Sequence, residues 1–365
     1  MRATISQRLH IDIPLLSGLL LLSLMSFVIL YSAGDQNGAI IVRQALRLLI
    51  AFAVMFAVAQ IPLRYILGWA PWLFGAGLIL LVAVLLIGDI SKGAQRWLDF
   101  GLFRFQPAEI MKLAVPMMIA WYLSTKRLPP HGWHIVIAGL LIILPVGLIA
   151  KQPDLGTALL IASAGVFVLL LAGMSARLIG ACVILLAAVA PVLWHFLHDY
   201  QRQRVLTFFN PENDPLGAGY HIIQSTIAIG SGGMYGKGWL NGTQSYLDFL
   251  PERTTDFIFA VYGEEFGLIG ILVLLAVYLF IVARGLYIAL NAQDTFARLL
   301  ASSLTLTFFV YVFVNIGMVT GLMPVVGVPL PLISYGGTSL VTLMAAFGIL
   351  MSIQTHRNRL PARNL

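Results

Sequence analysis

The stretch Pro14-Leu-Leu-Ser-Gly-Leu-Leu-Leu-Leu-Ser-Leu-Met-Ser-Phe-Val-Ile-Leu-Tyr-Ser-Ala33 carries no Asp, Glu, Lys, Arg or His. Coiled as an α-helix it rises ~1.5 Å per residue, enough to cross the ~30 Å hydrocarbon core of a bilayer. Further apolar windows recur near 45–61, 70–88, 108–124, 133–150, 155–173, 178–198, 266–288, 299–321 and 338–354. The 365-residue chain is 59% hydrophobic and 10% charged, with a mean hydropathy of +0.92. A soluble domain carries about 25% charged residues, so the composition excludes one. The expectation is an all-α polytopic membrane protein: ten transmembrane helices forming a single integral membrane domain over residues 1–365.

The first window is not read as a cleaved leader, although Arg2 and Arg8 precede it and Tyr31-Ser-Ala33 resembles a cleavage site. Its apolar run exceeds the ~7–15 residues of a leader core, and a second span follows. The only cysteine, Cys182, falls within a predicted span and is expected to be buried; one thiol makes no disulfide within the chain.

Ten spans place both termini on one face. That face collects Arg2, Arg8, Arg64, Lys126, Arg127, Arg177, Arg284, Arg298, Arg357, Arg359 and Arg363 against only Asp12 and Asp294. Basic loops face the cytoplasm, so cytoplasmic termini are expected, with a large extracytoplasmic loop between helices 7 and 8 at about 199–255. Topology therefore accounts for the net charge of +7. No basic run interleaved with aromatics occurs, which argues against a nucleic-acid partner.

Two other outer segments stand out. Asp89–Pro107 mixes aromatics and cations as headgroup interfaces do. Residues 322–337 contain Pro324-Val-Val-Gly-Val-Pro-Leu-Pro-Leu-Ile-Ser-Tyr-Gly-Gly337, whose prolines and glycines forbid a straight helix. Irregular backbone at membrane depth must line protein or water, so a re-entrant or cavity-lining course is expected.

Ionisable residues in or beside spans are costly and mark function by default. Asp256, in Leu250-Pro-Glu-Arg-Thr-Thr-Asp-Phe-Ile-Phe-Ala260, stands where the polar loop meets an apolar helix. It is a candidate catalytic base, or else a helix cap or a partner of Arg253. Glu109 and Lys112, three apart on one helical face, are either a structural ion pair or a polar wall offering Lys112 to a phosphate. Asp154 caps the helix after it or serves the site. Glu264 and Glu265 are similarly ambiguous. Arg202, Arg204 and the glycine-rich stretch around Lys237 suit a diphosphate, against the alternative of a solvated loop. The Walker A pattern fails at Gly238 and Ser231, and no metal or serine-hydrolase signature appears.

The segments Ile90-Ser-Lys-Gly-Ala-Gln-Arg-Trp-Leu98, Arg104-Phe-Gln-Pro-Ala-Glu109, Gln152-Pro-Asp-Leu-Gly156, Asp199-Tyr-Gln-Arg-Gln-Arg204, Asp214-Pro-Leu-Gly-Ala-Gly-Tyr-His-Ile-Ile-Gln-Ser225, Phe249-Leu-Pro-Glu-Arg-Thr-Thr-Asp-Phe257 and Pro329-Leu-Pro-Leu-Ile-Ser-Tyr-Gly-Gly337 resemble, in order and over almost the whole chain, the SEDS (shape, elongation, division and sporulation) family. The resemblance implies a peptidoglycan glycosyltransferase that polymerises lipid II at the outer face of the bacterial cytoplasmic membrane. It also implies a class B penicillin-binding protein as transpeptidase partner, within the elongation complex. The family's essential aspartate falls on Asp256, its cavity acid and lysine on Glu109 and Lys112, a motif acid on Asp154 and a motif arginine on Arg104. Ala108 departs from an expected Ser.

What the resemblance implies chemically is an inverting transfer, with Asp256 as base. Arg202, Arg204, Lys112 or Arg104 would stabilise the departing undecaprenyl diphosphate, a charge that a divalent cation such as Mg²⁺ could share. The rival readings are a lipid II flippase and a non-catalytic scaffold of the complex.

Overall fold

The computed structural model describes residues 10–91, 94–99, 101, 104–196, 199–213, 217–243 and 252–356. Arg2, Arg8, Arg357, Arg359, Arg363 and parts of the Asp214–Ser225 and Phe249–Phe257 motifs lie outside the described residues. Numbered in chain order, the helices are α1 (Ile13–Ala33), α2 (Gly38–Ala59), α3 (Leu63–Ile87), α4 (Pro107–Ser124), α5 (Gly132–Lys151), α6 (Leu155–Leu171), α7 (Ala176–Phe196), α8 (Asp199–Phe209), α9 (Ala218–Ser231), α10 (Ile258–Leu290), α11 (Thr295–Val319) and α12 (Thr338–Thr355). Each of the ten apolar windows falls on one of these helices, and seven of them are long and apolar enough to cross a membrane. Among the rest, α6 has 17 residues, and α4 carries Glu109 and Lys112 near its start.

The chain is not wholly helical outside the bundle. Asp89–Ser91, Ala94–Asp99 and Arg104–Phe105 form β1, β2 and β3, an antiparallel sheet of order β1-β2-β3, with Ile90 opposite Gln95 and Leu98 opposite Phe105. The segment after α7 is also more ordered than a loop, since it holds α8, a 3₁₀ turn at Pro211–Asn213, and α9.

Helix α11 is central: α4, α6, α10 and α12 all pack on it, and Leu299, Leu300, Phe308 and Met318 are fully buried along it. Buried hydroxyls in this apolar interior bond back to helix carbonyls, as Thr305 does to Ala301 and Thr307 to Ser303, both at 2.8 Å; unpaired, they would be costly. At one end of the bundle Asp12 caps α1 by accepting from Leu15 N at 2.9 Å and also accepts from Arg284 of α10 at 2.6 and 3.0 Å. One carboxylate thus satisfies a helix start and ties two helices. Cys182 corrects the expectation of burial, because it is exposed on α7.

Helix α10 is broken. At Gly267 the backbone takes φ 62, ψ −163, a region open only to glycine. The apolar window of the sequence starts here, at 266, so Ile258–Phe266 is a separate preceding segment. The break frees backbone groups, and the glycine-rich stretch 233–238 replaces their partners. Lys237 N and Gly238 N donate to the Glu264 and Glu265 carbonyls at 3.0 Å, while Leu268 N and Ile269 N donate to the Gly233 and Met234 carbonyls at 2.9 and 3.1 Å. A broken helix is tolerated at membrane depth only when its backbone is re-satisfied in this way. Gly267→Ala would force a Cβ onto the Gly236 nitrogen and the Met234 carbonyl, besides a backbone cost of about 1–3 kcal/mol. A lowered unfolding temperature in detergent is expected, and an unchanged one would contradict the docking.

Candidate functional site

Residues 252–257 form a turn held by Thr255 N and Phe257 N donating to the Glu252 carbonyl at 3.1 and 3.2 Å. The N-cap of α10 is Phe257, without a side-chain cap hydrogen bond, so Asp256 does not cap this helix. Arg253 pairs with Asp35 of the α1–α2 turn.

The three peptide carbonyls leading to and including Asp256 are each gripped from the 315–337 region. Tyr335 N donates to Thr254 O at 2.8 Å. Ser334 Oγ donates to Thr255 O at 2.6 Å and accepts from Leu330 N at 2.8 Å. Asn315 Nδ2, fully buried on α11, donates to Asp256 O at 2.9 Å and to Val328 O at 2.7 Å. The proline-rich segment is therefore irregular, as its composition requires, and its course follows the turn that carries Asp256. Gly327 sits at φ 73, and a Cβ there would come within 3.3 Å of Asp256 Oδ2; glycine lets the segment pass close to the carboxylate. Asp256 itself is half-buried.

One helical turn before Asn315, and hence on the same face of α11, Tyr311 lies under the Lys112 ammonium at 5.3 Å from its ring centre. Lys112 Nζ donates to Glu109 Oε1 at 2.7 Å, their side chains being 10% and 7% exposed. Tyr311 lines two cavities of about 30 Å³: one with Lys112, Thr307 and Ser339, the other with Pro329, Pro331 and Ser334. Each has room for about one or two waters. Helix α11 thus joins the Glu109–Lys112 pair to the Asp256 clamp through residues four apart.

Asp154 is heavily engaged. Its carboxylate caps α6 by accepting from Thr157 N at 3.2 Å, accepts from Gln106 at 3.2 Å, and stands 3.6 Å from Arg96, whose other nitrogen bonds the Pro153 carbonyl at 2.6 Å. It ties the β-hairpin to the α5–α6 turn, and beside it Gly156 faces the Val326 carbonyl. This geometry fills the capping reading. Asp154→Ala is expected to cost about 0.5–2 kcal/mol from the lost cap alone, measured by thermal unfolding, whereas Asp154→Asn retains much of it.

The remaining candidates are held elsewhere. Arg104 on β3 is exposed and pairs with Asp99 at 3.3 Å; the Gly101 N–H, then Arg104, hold the Asp99 carboxyl below its usual range. Arg202 donates to the Trp194 and His195 carbonyls at 3.0 and 2.7 Å, closing the end of α7. Arg204 is exposed on α8. Lys237 bonds the fully buried Glu264 at 2.7 Å, an acid that also accepts from Thr243 at 3.0 Å. Glu265 accepts from Ser32. Among the described residues no three Asp, Glu, His or Cys side chains gather at metal-binding distance.

Sequence reading missed Asn315, Tyr311, Ser334 and Arg47. The Arg47 guanidinium on α2 stacks over the Tyr335 ring at 4.1 Å, placing a cation against the clamp. The signal available was the cost of Asn315 and Arg47 in apolar windows.

The chain is similar to known proteins over nearly its whole length. The family model described as Cell cycle protein, covering FtsW, RodA and SpoVE, matches residues 7–359. The chain is 57% identical over 360 residues to the peptidoglycan glycosyltransferase MrdB of Escherichia coli (strain K12), covering 98% of this chain and 97% of that one. It is 37% identical over 355 residues to the enzyme of the same name from Helicobacter pylori (strain J99), covering 96% and 91%. Among solved structures it superposes with a TM-score of 0.83 on a chain of a peptidoglycan synthase complex that coordinates polymerisation and crosslinking, at 34% identity over 95% of this chain and 98% of that one. Thermus thermophilus rod shape determining protein RodA gives a TM-score of 0.72 at 29% identity, covering 95% and 97%. The multi-pass architecture, the ordered motifs and these matches together show that the chain belongs to the FtsW/RodA/SpoVE family.

Proposed function

We propose that the chain is a peptidoglycan glycosyltransferase that polymerises lipid II at the outer face of the bacterial cytoplasmic membrane, with both termini in the cytoplasm and Asp256 as the base. The single observation that carries the catalytic assignment is the grip on residues 254–256. Three consecutive carbonyls are held by Tyr335 N, Ser334 Oγ and Asn315 Nδ2, which fixes the backbone of a half-buried carboxylate. A structural acid on a surface turn has no need of such a mount.

In the reaction the 4-hydroxyl of one N-acetylglucosamine attacks the anomeric carbon of an N-acetylmuramic acid. Asp256 accepts the hydroxyl proton, a new glycosidic bond forms with inversion, and undecaprenyl diphosphate leaves with the bonding electrons. The diphosphate is already a good leaving group, so one base suffices. Positive charge near the leaving oxygens lowers the barrier further; Arg104, Arg204 and Arg47 are the candidates for this role, and of these Arg47 stacks over Tyr335 of the clamp. The Glu109–Lys112 pair, closed on itself and nearly buried, acts as a strut behind α11. A penicillin-binding protein as partner is in keeping with the synthase complex that this fold matches.

The test is conversion of labelled lipid II to glycan polymer by the purified chain with its partner in detergent, where no bilayer separates two compartments. A ladder of polymer is expected. Consumption of no lipid II, with the complex intact, would leave a flippase or scaffold instead.

A further inference from the structure

On the face that carries the α4–α5 and α6–α7 turns, a cavity of about 480 Å³ opens between α5 and α7, lined by Pro129, Pro130, Gly132, Gly173, Ser175 and Arg177 among others. The two turns touch: a Cβ on Gly173 would lie 3.2 Å from Pro129. Arg177 is exposed and has neither hydrogen bond nor ion pair with a described residue, and the same holds for Arg127, two residues before Pro129. No acid occurs between Glu109 and Asp154 or between Asp154 and Asp199. Both turns and the helices leaving them therefore present positive charge without any internal counter-ion.

Above the cavity the walls are apolar. On α7 none of the described side chains is buried; Ile184 and Leu185, one turn beyond the lining residue Ala181, are 72% and 63% exposed. On α5 nothing lies within 4 Å of a Cβ built on Gly139, one turn beyond the lining residue Ile135, and Leu140 beside it is 60% exposed. A cationic base beneath a cleft with two hydrocarbon walls calls for one anionic head and more than one tail.

We propose that this cavity binds an anionic glycerophospholipid. Its phosphodiester pairs with Arg177, whose planar fork suits two phosphate oxygens, and its acyl chains lie along the exposed faces of α5 and α7. Basic pockets between transmembrane helices at headgroup level recognise lipids by the same chemistry. The assignment needs only that the chain spans a bilayer. It is independent of the role given to Asp256.

The experiment is native mass spectrometry of the full-length protein released from nanodiscs of phosphatidylcholine mixed with phosphatidylglycerol. Wild type is expected to retain phosphatidylglycerol in preference to phosphatidylcholine. Arg177→Gln, which keeps a polar side chain at an exposed position, should reduce that preference roughly fivefold, and Arg127→Gln should reduce it further. Arg298→Gln, at the start of α11, should leave it unchanged, and soluble glycerophosphate should not displace the lipid, because the tails contribute. Equal retention of both lipids by wild type, an equal loss in Arg298→Gln, displacement by glycerophosphate, or a second protein copy in place of lipid would each overturn the proposal.

Discussion

Replacing Lys112 by Met is expected to destabilise the protein by about 3–5 kcal/mol, because it leaves the Glu109 carboxylate buried without a counter-charge. The pair is 2.7 Å apart with both side chains at or below 10% exposure, so solvent screens it little. Glu109→Gln alone should be harmful for the converse reason, because the buried ammonium above the Tyr311 ring loses its counter-charge. In the double variant Glu109→Gln/Lys112→Met both charges are gone, and most of the lost stability should return. Thermal unfolding of the four proteins gives the coupling directly. If the pair is a strut, glycan polymerisation by the double variant recovers with the fold. If Lys112 instead touches the diphosphate, the double variant stays folded yet remains about 10²–10³-fold slow.

Asp256→Asn is expected to lower polymerisation by about 10²–10⁴-fold, the usual contribution of a positioned base, with little effect on folding. The substitution leaves the backbone carbonyl gripped by Asn315 untouched and preserves the side-chain shape beside Gly327. Asn315→Leu is the complementary case: it removes both carbonyl bonds from α11 and leaves the Asp256 and Val328 carbonyls short of donors. It should slow the reaction through misplacement of an otherwise normal carboxylate, while costing stability as well.

Much of this was legible in the sequence, and what escaped has physical reasons. Apolar windows located the bundle because span length is imposed by the bilayer. The prolines and glycines of 322–337 announced irregular backbone. Asp256 and the Glu109–Lys112 pair stood out because ionisable groups are rare in such a chain. The hairpin of β1 to β3 was hidden: its strands are short, and their pairing depends on register rather than on periodicity. The role of Gly233–Gly238 was also hidden, since a glycine-rich stretch reads as an anion nest until its partner, the break at Gly267, is seen. Cys182 looked buried because an apolar window does not say which face meets protein and which meets lipid.

Asn315 is the instructive omission. It sits alone among apolar residues, where an amide must find partners, and its partners are two carbonyls distant in sequence. No local pattern points to them.

The most direct test compares polymer yield from labelled lipid II for wild type and Asp256→Asn, each purified with the proposed penicillin-binding partner and each shown to keep the complex intact. A ladder of glycan is expected from wild type, with loss of polymer from Asp256→Asn at unchanged assembly. Undiminished polymer from the variant would contradict it.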